Sequence, residues 1–386
     1  MVSALGLDAV TSCAAARAGV SRIVETDDLF VDDLRGAEVE PVRVHRVPRI
    51  SGGLFGFSRL LRLGLAGMED LLRSAPETLA GRTGLVLIVN DGIYQDAWSR
   101  KERRKAAETT AETTPEVSEV AQTDGGTGES GRRAEHDRIV NQLLATLVTR
   151  LGIVVDTKLR ITLAASSVGL VSALRQADAW LTRRECDRCI VGGIDSLVDP
   201  AVLAAIEGLG LLKTPNRAAG MLPGEAACFL ACQRPQDVQS RREPAAAFVE
   251  AQASASEAAH PLLDLSRPDG GGLLAAIREA ARQLPDQGAS TGLAVANLNG
   301  DPYRAASWGR CVMPDNSPLR LGALPFWIPP LHFGDIGAAA GPVSLAMLVR
   351  GWARGWAPRP SAIVCLMDDA GARGAICVRA PEDVAA

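Results

Sequence analysis

Aromatic side chains are scarce here: seven phenylalanines, six tryptophans and two tyrosines make up 4% of 386 residues. A core with so few rings must be filled by small aliphatic side chains. The 38 glycines, beside many alanines, point to close helix-to-sheet contacts. No stretch reaches the ~18 consecutive apolar residues of a membrane-spanning helix, so no membrane insertion is expected. An excess of one charge is also missing: 41 basic against 45 acidic residues leave a net charge of −4. Bulk electrostatics therefore draw in neither nucleic acid nor an anionic membrane. The basic cluster at 100–105 is followed at once by acidic and polar sequence and reads as a solvated flank. The eight cysteines lack the regular spacing of a secreted disulfide scaffold. Cys186-Asp187-Arg188-Cys189 forms a C-x-x-C, but no second pair or histidine couple completes a zinc site. It runs into a predicted strand rather than opening a helix, so it reads as buried or rim cysteine, not metal or redox chemistry. The N-terminus has no basic region ahead of an apolar one, so no secretory signal is read and a cytoplasmic location is expected. No motif calls for a cofactor or a metal.

What is present suits a sizeable core. Hydrophobic residues are 47% of a chain too long for one simple core. The expectation is two halves, 1–240 and 241–386. A short strand, a turn and an Ala-rich helix open the chain over 1–25. Leucines at helical spacing mark a helix over 58–75. The continuous apolar run at 85–89 suits a strand buried on both faces. Residues 138–151 carry a helical apolar face. A strand at 159–164 then leads into a helix from about Ser166 to Arg184, followed by strands at 189–191 and 226–232 with a helix at 200–212 between them. From 246 the succession begins again, with strands at 246–251 and 292–297, helices at 272–284 and 341–355, and closing strands at 362–367 and 374–379. Such alternation predicts mixed α/β layers with a largely parallel core. Residues 100–136 differ in kind. They hold almost no large aliphatics and cannot offset their ordering entropy by burial, so they read as a mobile surface loop with a little helix at the start.

Several short motifs recur in a telling order: SALGLDAVTSCAAARAGVS at the start, ITLAASSVGL at 161–170, VGGIDS at 191–196 and PGEAACFLAC at 223–232. PDGGGLLAAIREA at 268–280, NGDPYRAASWG at 299–309 and FGDIGAAAGPVSLAML at 333–348 follow. In this order and at these spacings they resemble the β-ketoacyl synthase branch of the thiolase superfamily over nearly the whole chain, apart from 100–136. The resemblance implies an α/β thiolase fold of two duplicated halves in five layers, α-β-α-β-α. The helix from Ser166 would be one of two central helices, and the GAAAG run at 337–341 would open its counterpart.

Condensation in that family needs a cysteine thiolate at the start of a buried helix, whose positive end lowers the thiol pKa. It also needs two polar groups, usually histidines, to stabilise the enolate or oxyanion. On the family's T-A-C-x-S-G turn, Ala164 stands at the cysteine position. Asn299 stands at the histidine of H-G-T-x-T and Asp335 at the second histidine, while Pro330 replaces a lysine. An alanine methyl cannot carry an acyl chain, and an aspartate repels a developing oxyanion. Only asparagine is a conservative-looking change, so the resemblance implies a protein that does not condense acyl groups. One fallback has Ser166 or Ser167 as nucleophile, with His332 as base and Asp335 as its orienter. Against it, the serines read as helix caps and His332 as a satisfied loop histidine. His45, His136 and His260 read as surface residues.

The leading expectation is a non-enzymatic thiolase-fold protein that binds or organises a partner. The GLDAVTSCAAARAG and NGDPYRAASWG stretches also resemble thiolase-like accessory proteins of type VI secretion effector loading, which implies an adaptor contacting an effector or spike component. A second expectation is a chain-length-factor-like partner of an active ketosynthase, and a third an acyl hydrolase or acyltransferase using Ser166. Family dimers pair first-half edge strands, so a homodimer or heterodimer through the 159–164 strand is expected.

Overall fold

The computed structural model describes residues 1–32, 38–113, 140–241, 243–258, 260, 262, 270–288, 290–313 and 319–381. Twelve strands lie in chain order: β1 Val2–Ser3, β2 Val24–Asp32, β3 Val39–Val44, β4 Thr83–Val89, β5 Arg160–Ala164, β6 Arg188–Ser196, β7 Glu225–Cys232, β8 Phe248–Ser256, β9 Ala294–Ala296, β10 Phe326–Trp327, β11 Ser361–Met367 and β12 Ala372–Arg379. Two five-stranded sheets run β1-β7-β6-β4-β5 and β10-β9-β11-β12-β8. Their pairings correspond one to one. In each sheet three neighbouring strands are parallel, and two more join by antiparallel pairs. The sheets are therefore mixed rather than largely parallel, because the last strand of each lies antiparallel to its predecessor and pairs antiparallel with the sheet's first strand.

The helices Gly169–Thr182 and Ala340–Ala353 follow the third strand of their respective sheets. They touch each other and pack against strands of both sheets. Their crossing depends on missing side chains: a Cβ on Gly341 would lie 2.8 Å from Leu170, and one on Gly193 only 2.2 Å from the Ala338 carbonyl oxygen. Outside the first sheet lie Gly56–Ser74, which contacts β6 and β7, and the helix through 140–151, whose Leu147 meets Gly64. Gly271–Arg282 packs on β8 and β12, with Pro302–Val312 against it. The result is α-β-α-β-α. Strands β4 and β6 are buried along their whole length, as the continuous apolar run requires.

Two elements depart from expectation. Residues 24–32 and 39–44, for which no strand was read, pair antiparallel as β2 and β3, with a register shift between Thr26 and Phe30. The proposed loop at 100–136 begins as helix, because Ile93–Thr113 is one continuous helix. Its Ala, Glu, Lys and Arg residues are strong helix formers. Trp98 packs on Gly208, and Lys101 donates to the Gly208 carbonyl at 2.7 Å. The rest of that loop, and His136 with it, lies outside the described residues. No helix among the described residues is long and apolar enough to cross a membrane.

Candidate functional site

The sequence NGDPYR builds one side of the site. Gly300 takes φ +95°, and a Cβ there would sit 2.5 Å from the Gly220 carbonyl oxygen, so the turn after Asn299 needs glycine. Asp301 then caps the helix Pro302–Val312 by accepting from the Tyr303 N–H at 2.6 Å, with proline in the first turn. That cap sets Arg304 at the third position of the helix, where it is 2% exposed. The opposite side comes from Gly334-Asp335. The Asp335 backbone is strapped to the lead-in of β7, its N–H donating to Leu222 O at 2.8 Å and its carbonyl accepting from Gly224 at 2.7 Å.

Asn299 and Asp335 meet. The Asn299 amide donates to the Asp335 carboxylate at 2.6 Å, while its own oxygen accepts from the Asp301 N–H at 3.0 Å. Arg304 lies between two carboxylates, 3.0 Å from Asp335 and 3.0 Å from Asp369. It also donates to the Asn297 carbonyl at 3.0 Å. Tyr94 donates to the other oxygen of Asp369 at 2.7 Å, and Gly337 N–H reaches the second Asp335 oxygen at 3.1 Å. Burial alone would lower the Arg304 pKa, but the two carboxylates outweigh it and hold the guanidinium above its ordinary value. Burial, reinforced by Asp369, pushes the Tyr94 phenol up. The network is closed: its side chains are buried and hydrogen-bonded to one another.

Ser167 joins this network at its far end. Its hydroxyl donates to Met367 O at 2.8 Å and accepts from the Asn297 amide at 3.1 Å. The expected helix cap is therefore corrected. Helix Gly169–Thr182 has Val168 at its N-cap with no side-chain hydrogen bond, because the end of β11 competes for the serine hydroxyl. Ser166 is buried, and its carbonyl accepts from Gly169 N–H at 3.0 Å. Ala164 ends β5 and is exposed on the sheet edge. Pro330 is half-buried and opens the short helix Pro330–Phe333. His332 on that helix turns to the Val20 carbonyl at 3.2 Å. The Asp335 oxygens face Asn299, Arg304 and Gly337 instead of His332, so no Asp335–His332 contact orients a base. The surface reading of two other histidines is also corrected: His45 is 1% and His260 5% exposed. His45 is buried beside Gly334, and burial, helped by His332, lowers its pKa to about 4.

Sequence reasoning did not find Arg304, Asp369, Tyr94 or Asn297. A charged residue in an otherwise apolar helix start and the Asp368-Asp369 pair ending an apolar strand are the available signals. A nearby carboxylate, Asp195 at the end of β6, accepts from Ala338 N–H at 2.8 Å and Asn90 at 3.2 Å. Burial raises its pKa to about 7 against those hydrogen bonds. A separate cavity of 390 Å³ between the first turn and residues 47–49 is lined by none of these groups.

No protein-family description and no curated protein sequence matches the chain. Solved structures do. The ishigamide ketosynthase/chain length factor aligns over 98% of this chain and 97% of its own, at 19% identity and TM-score 0.66. A type II polyketide synthase ketosynthase, solved with its acyl-carrier protein and bound to a hexaketide, aligns over 99% and 97%, at 14% identity and TM-score 0.71. The oxazolomycin ketosynthase domain from Streptomyces albus aligns over 84% and 60%, at 15% identity and TM-score 0.56. This chain has the thiolase fold. Identities this low carry the fold alone, and within the thiolase fold the chemistry must be argued from the side chains present.

Proposed function

We propose that this protein is a non-condensing thiolase-fold subunit that acts by binding a protein partner, in the manner of a chain length factor beside a ketosynthase. The observation that carries this reading is the closed Asn299–Asp335–Arg304–Asp369 network. Condensation needs preorganised donors aimed at a charge that develops during reaction. Here the two carboxylates engage the one guanidinium, and their combined charge with it is −1. A malonyl carboxylate or an enolate would be repelled rather than stabilised. Ala164, at the position where the resemblance puts the cysteine, offers no nucleophile. Full-length likeness to ketosynthase and chain-length-factor chains favours this partner class over a secretion effector or spike component.

On this reading the halves divide at 240/241, and β5 is the edge that a partner covers. Its residues are half-exposed, with Ile161 and Leu163 among them, and Ala164 is fully open. An unpaired edge of this kind is a template for strand addition.

Two measurements test the reading together. Incubation with acyl-CoA or acyl-carrier protein is expected to leave the intact mass unchanged, and a stable adduct on Ser166 or Ser167 would sink the proposal in favour of an acyl-transfer enzyme. Titration against a ketosynthase chain encoded nearby, followed by light scattering, is expected to give a heterodimer. Binding to a secretion effector or spike component instead would move the protein to the adaptor class, with the non-condensing site unaffected.

A further inference from the structure

Three thiols lie in a row across one end of the first sheet. Gly84 of β4 pairs laterally with Cys189 of β6, and Cys189 pairs with Cys232 of β7. Residues opposite one another on neighbouring strands share a face, with Cβ atoms about 4.5–5.5 Å apart. Gly84 has no side chain, and the Cys186 sulfur fills the space this leaves. A Cβ on Gly84 would lie 3.4 Å from Cys186 Sγ, 3.3 Å from Cys189 Sγ and 3.1 Å from the Trp180 ring. Both sulfurs therefore crowd one point beneath the helix Gly169–Thr182. The neighbouring Cys189 side chain, the Gly84 backbone and Arg234 hold the Cys186 thiol below its ordinary pKa against the effect of burial, while the Cys189 thiol itself donates to the Ile190 carbonyl at 3.8 Å. Cys186 and Cys189 are fully buried, and Cys232, at the end of the row, is half-buried.

We propose that Cys186 and Cys189 form a peroxide-driven modification site, closing reversibly to a disulfide in the folded protein. The Cys186 thiolate attacks one peroxide oxygen, the O–O bond breaks, and a sulfenic acid forms while hydroxide leaves and takes up the proton that the thiol released, giving water. The Cys189 sulfur then attacks the sulfenic sulfur and forms the S–S bond while a second water leaves. In total two thiols and one hydrogen peroxide give one disulfide and two waters. The geometry gives the C-x-x-C a role that its strand context alone did not suggest: the bend at Asp187 and the vacancy over Gly84 bring together sulfurs that a straight strand would hold apart.

The test uses the full chain, fully reduced and then treated with a small excess of hydrogen peroxide under native conditions. Free thiols are alkylated and the protein is digested with trypsin. Cleavage after Arg184, Arg188 and Lys213 separates the two cysteines, so the expected product is residues 185–188 linked to residues 189–213, two hydrogens lighter than the two peptides and released by dithiothreitol. Cys189→Ala is expected to abolish the link and leave Cys186 labelled by a sulfenic-acid probe, whereas Cys232→Ala retains it. Recovery of Cys186 and Cys189 from peroxide-treated wild-type protein as separate alkylated peptides overturns the proposal. That outcome is read on the unmutated chain and does not depend on either variant folding.

Discussion

The two halves share one strand topology and put it to different uses. The second half supplies Asn299, Arg304, Asp335 and Asp369, four of the groups that close the central network, while the first contributes Tyr94 and, through Asn297, Ser167. At the outer edges the balance reverses. The first sheet ends in β5, five residues with half-exposed apolar side chains, and the second in the two-residue β10. The long edge β8 of the second sheet is partly covered, since the Gln283 side chain bonds both the N–H and the carbonyl of Gln252. The two sheets share a strand order but not its setting: the network groups Asn299, Arg304, Asp335 and Asp369 lie after residue 240, and β5 of the first sheet is the more exposed edge. This division fits a binding subunit better than a condensing enzyme, which needs both halves turned toward a reactive centre.

The sharpest way to break this contrast is to remove the lock. Arg304→Met leaves Asp335 and Asp369 buried without their cation, and breaking a buried pair from one side costs about 3–5 kcal/mol. Urea unfolding should show that loss as a lower midpoint with little change in slope. The triple change Arg304→Met, Asp335→Asn, Asp369→Asn removes the stranded charges and is expected to recover most of it. If Arg304→Met alone leaves the midpoint unchanged, the network does not hold the halves together. The first half contains its own buried pair, Arg59 with Glu225 at 2.9 Å, both fully enclosed. Glu225→Ala, which also strips partners from Ser51, Ser196 and the Val47 N–H, should cost a comparable about 3–5 kcal/mol.

The edge strand gives an effect of another sort. Leu163→Lys on β5 is expected to change the isolated chain's stability by less than about 1 kcal/mol, since the site is half-exposed. A charge on a bare edge is a standard block to strand pairing. Partner binding should weaken at least tenfold, measured by titration calorimetry. Unchanged partner affinity would remove β5 from the interface and erase half of the contrast between the two sheets.

Proton linkage separates the two helix starts. Asp195 receives the second central helix through Ala338, and its folded pKa of about 7 lies above the ordinary aspartate value of 3.8. Between those values the folded chain binds a proton that the unfolded chain has released, so this group's contribution to stability is full below pH 4 and falls as pH rises toward 7. Asp368, raised by burial to about 6, has the same sign. His45 opposes them: held neutral down to about 4, it makes stability rise between pH 4 and 6.5. Asp195→Asn removes one contribution only. The wild-type minus variant difference should therefore decline from pH 4 to 7, by a few kcal/mol at most, and a flat difference would contradict burial as the controlling influence.

How much of this was legible follows from what each region buries. The run at 85–89 announced a doubly buried strand and 189–191 announced part of another, which in fact runs through Gly192-Gly193 over 188–196, and the small residues after 163 announced a helix squeezed between sheets. The convergence of Asn299 and Asp335 was implicit in the order of motifs. Arg304 and Asp369 were not legible, because a charge in sequence reads as solvated until its partners, dozens of residues away, are known. His45 and His260 were misread for the same reason. The β2–β3 pair at 24–32 and 39–44 was hidden by acids that interrupt its alternation and by its bulge, and β10 is too short to leave a pattern.

The smallest expected effect concerns the helix Ile93–Thr113, where only a little helix at the start of a loop was expected from residue 100. Arg104 and Glu108 face each other one turn apart at 3.0 Å, both largely exposed. The chemistry is that of Arg304 and Asp335, a guanidinium against a carboxylate at the same distance. The first pair lies open to solvent, whereas both side chains of the second are only 2% exposed. An exposed i,i+4 pair contributes about 0.2–0.5 kcal/mol, and salt screens it further. Arg104→Ala should therefore shift the unfolding midpoint barely above error, and less still at high salt, where Arg304→Met keeps its full effect. If the two variants lost similar amounts, or responded alike to salt, the central network would not be shielded from solvent. The closed interior on which the non-condensing reading rests would then have to be abandoned.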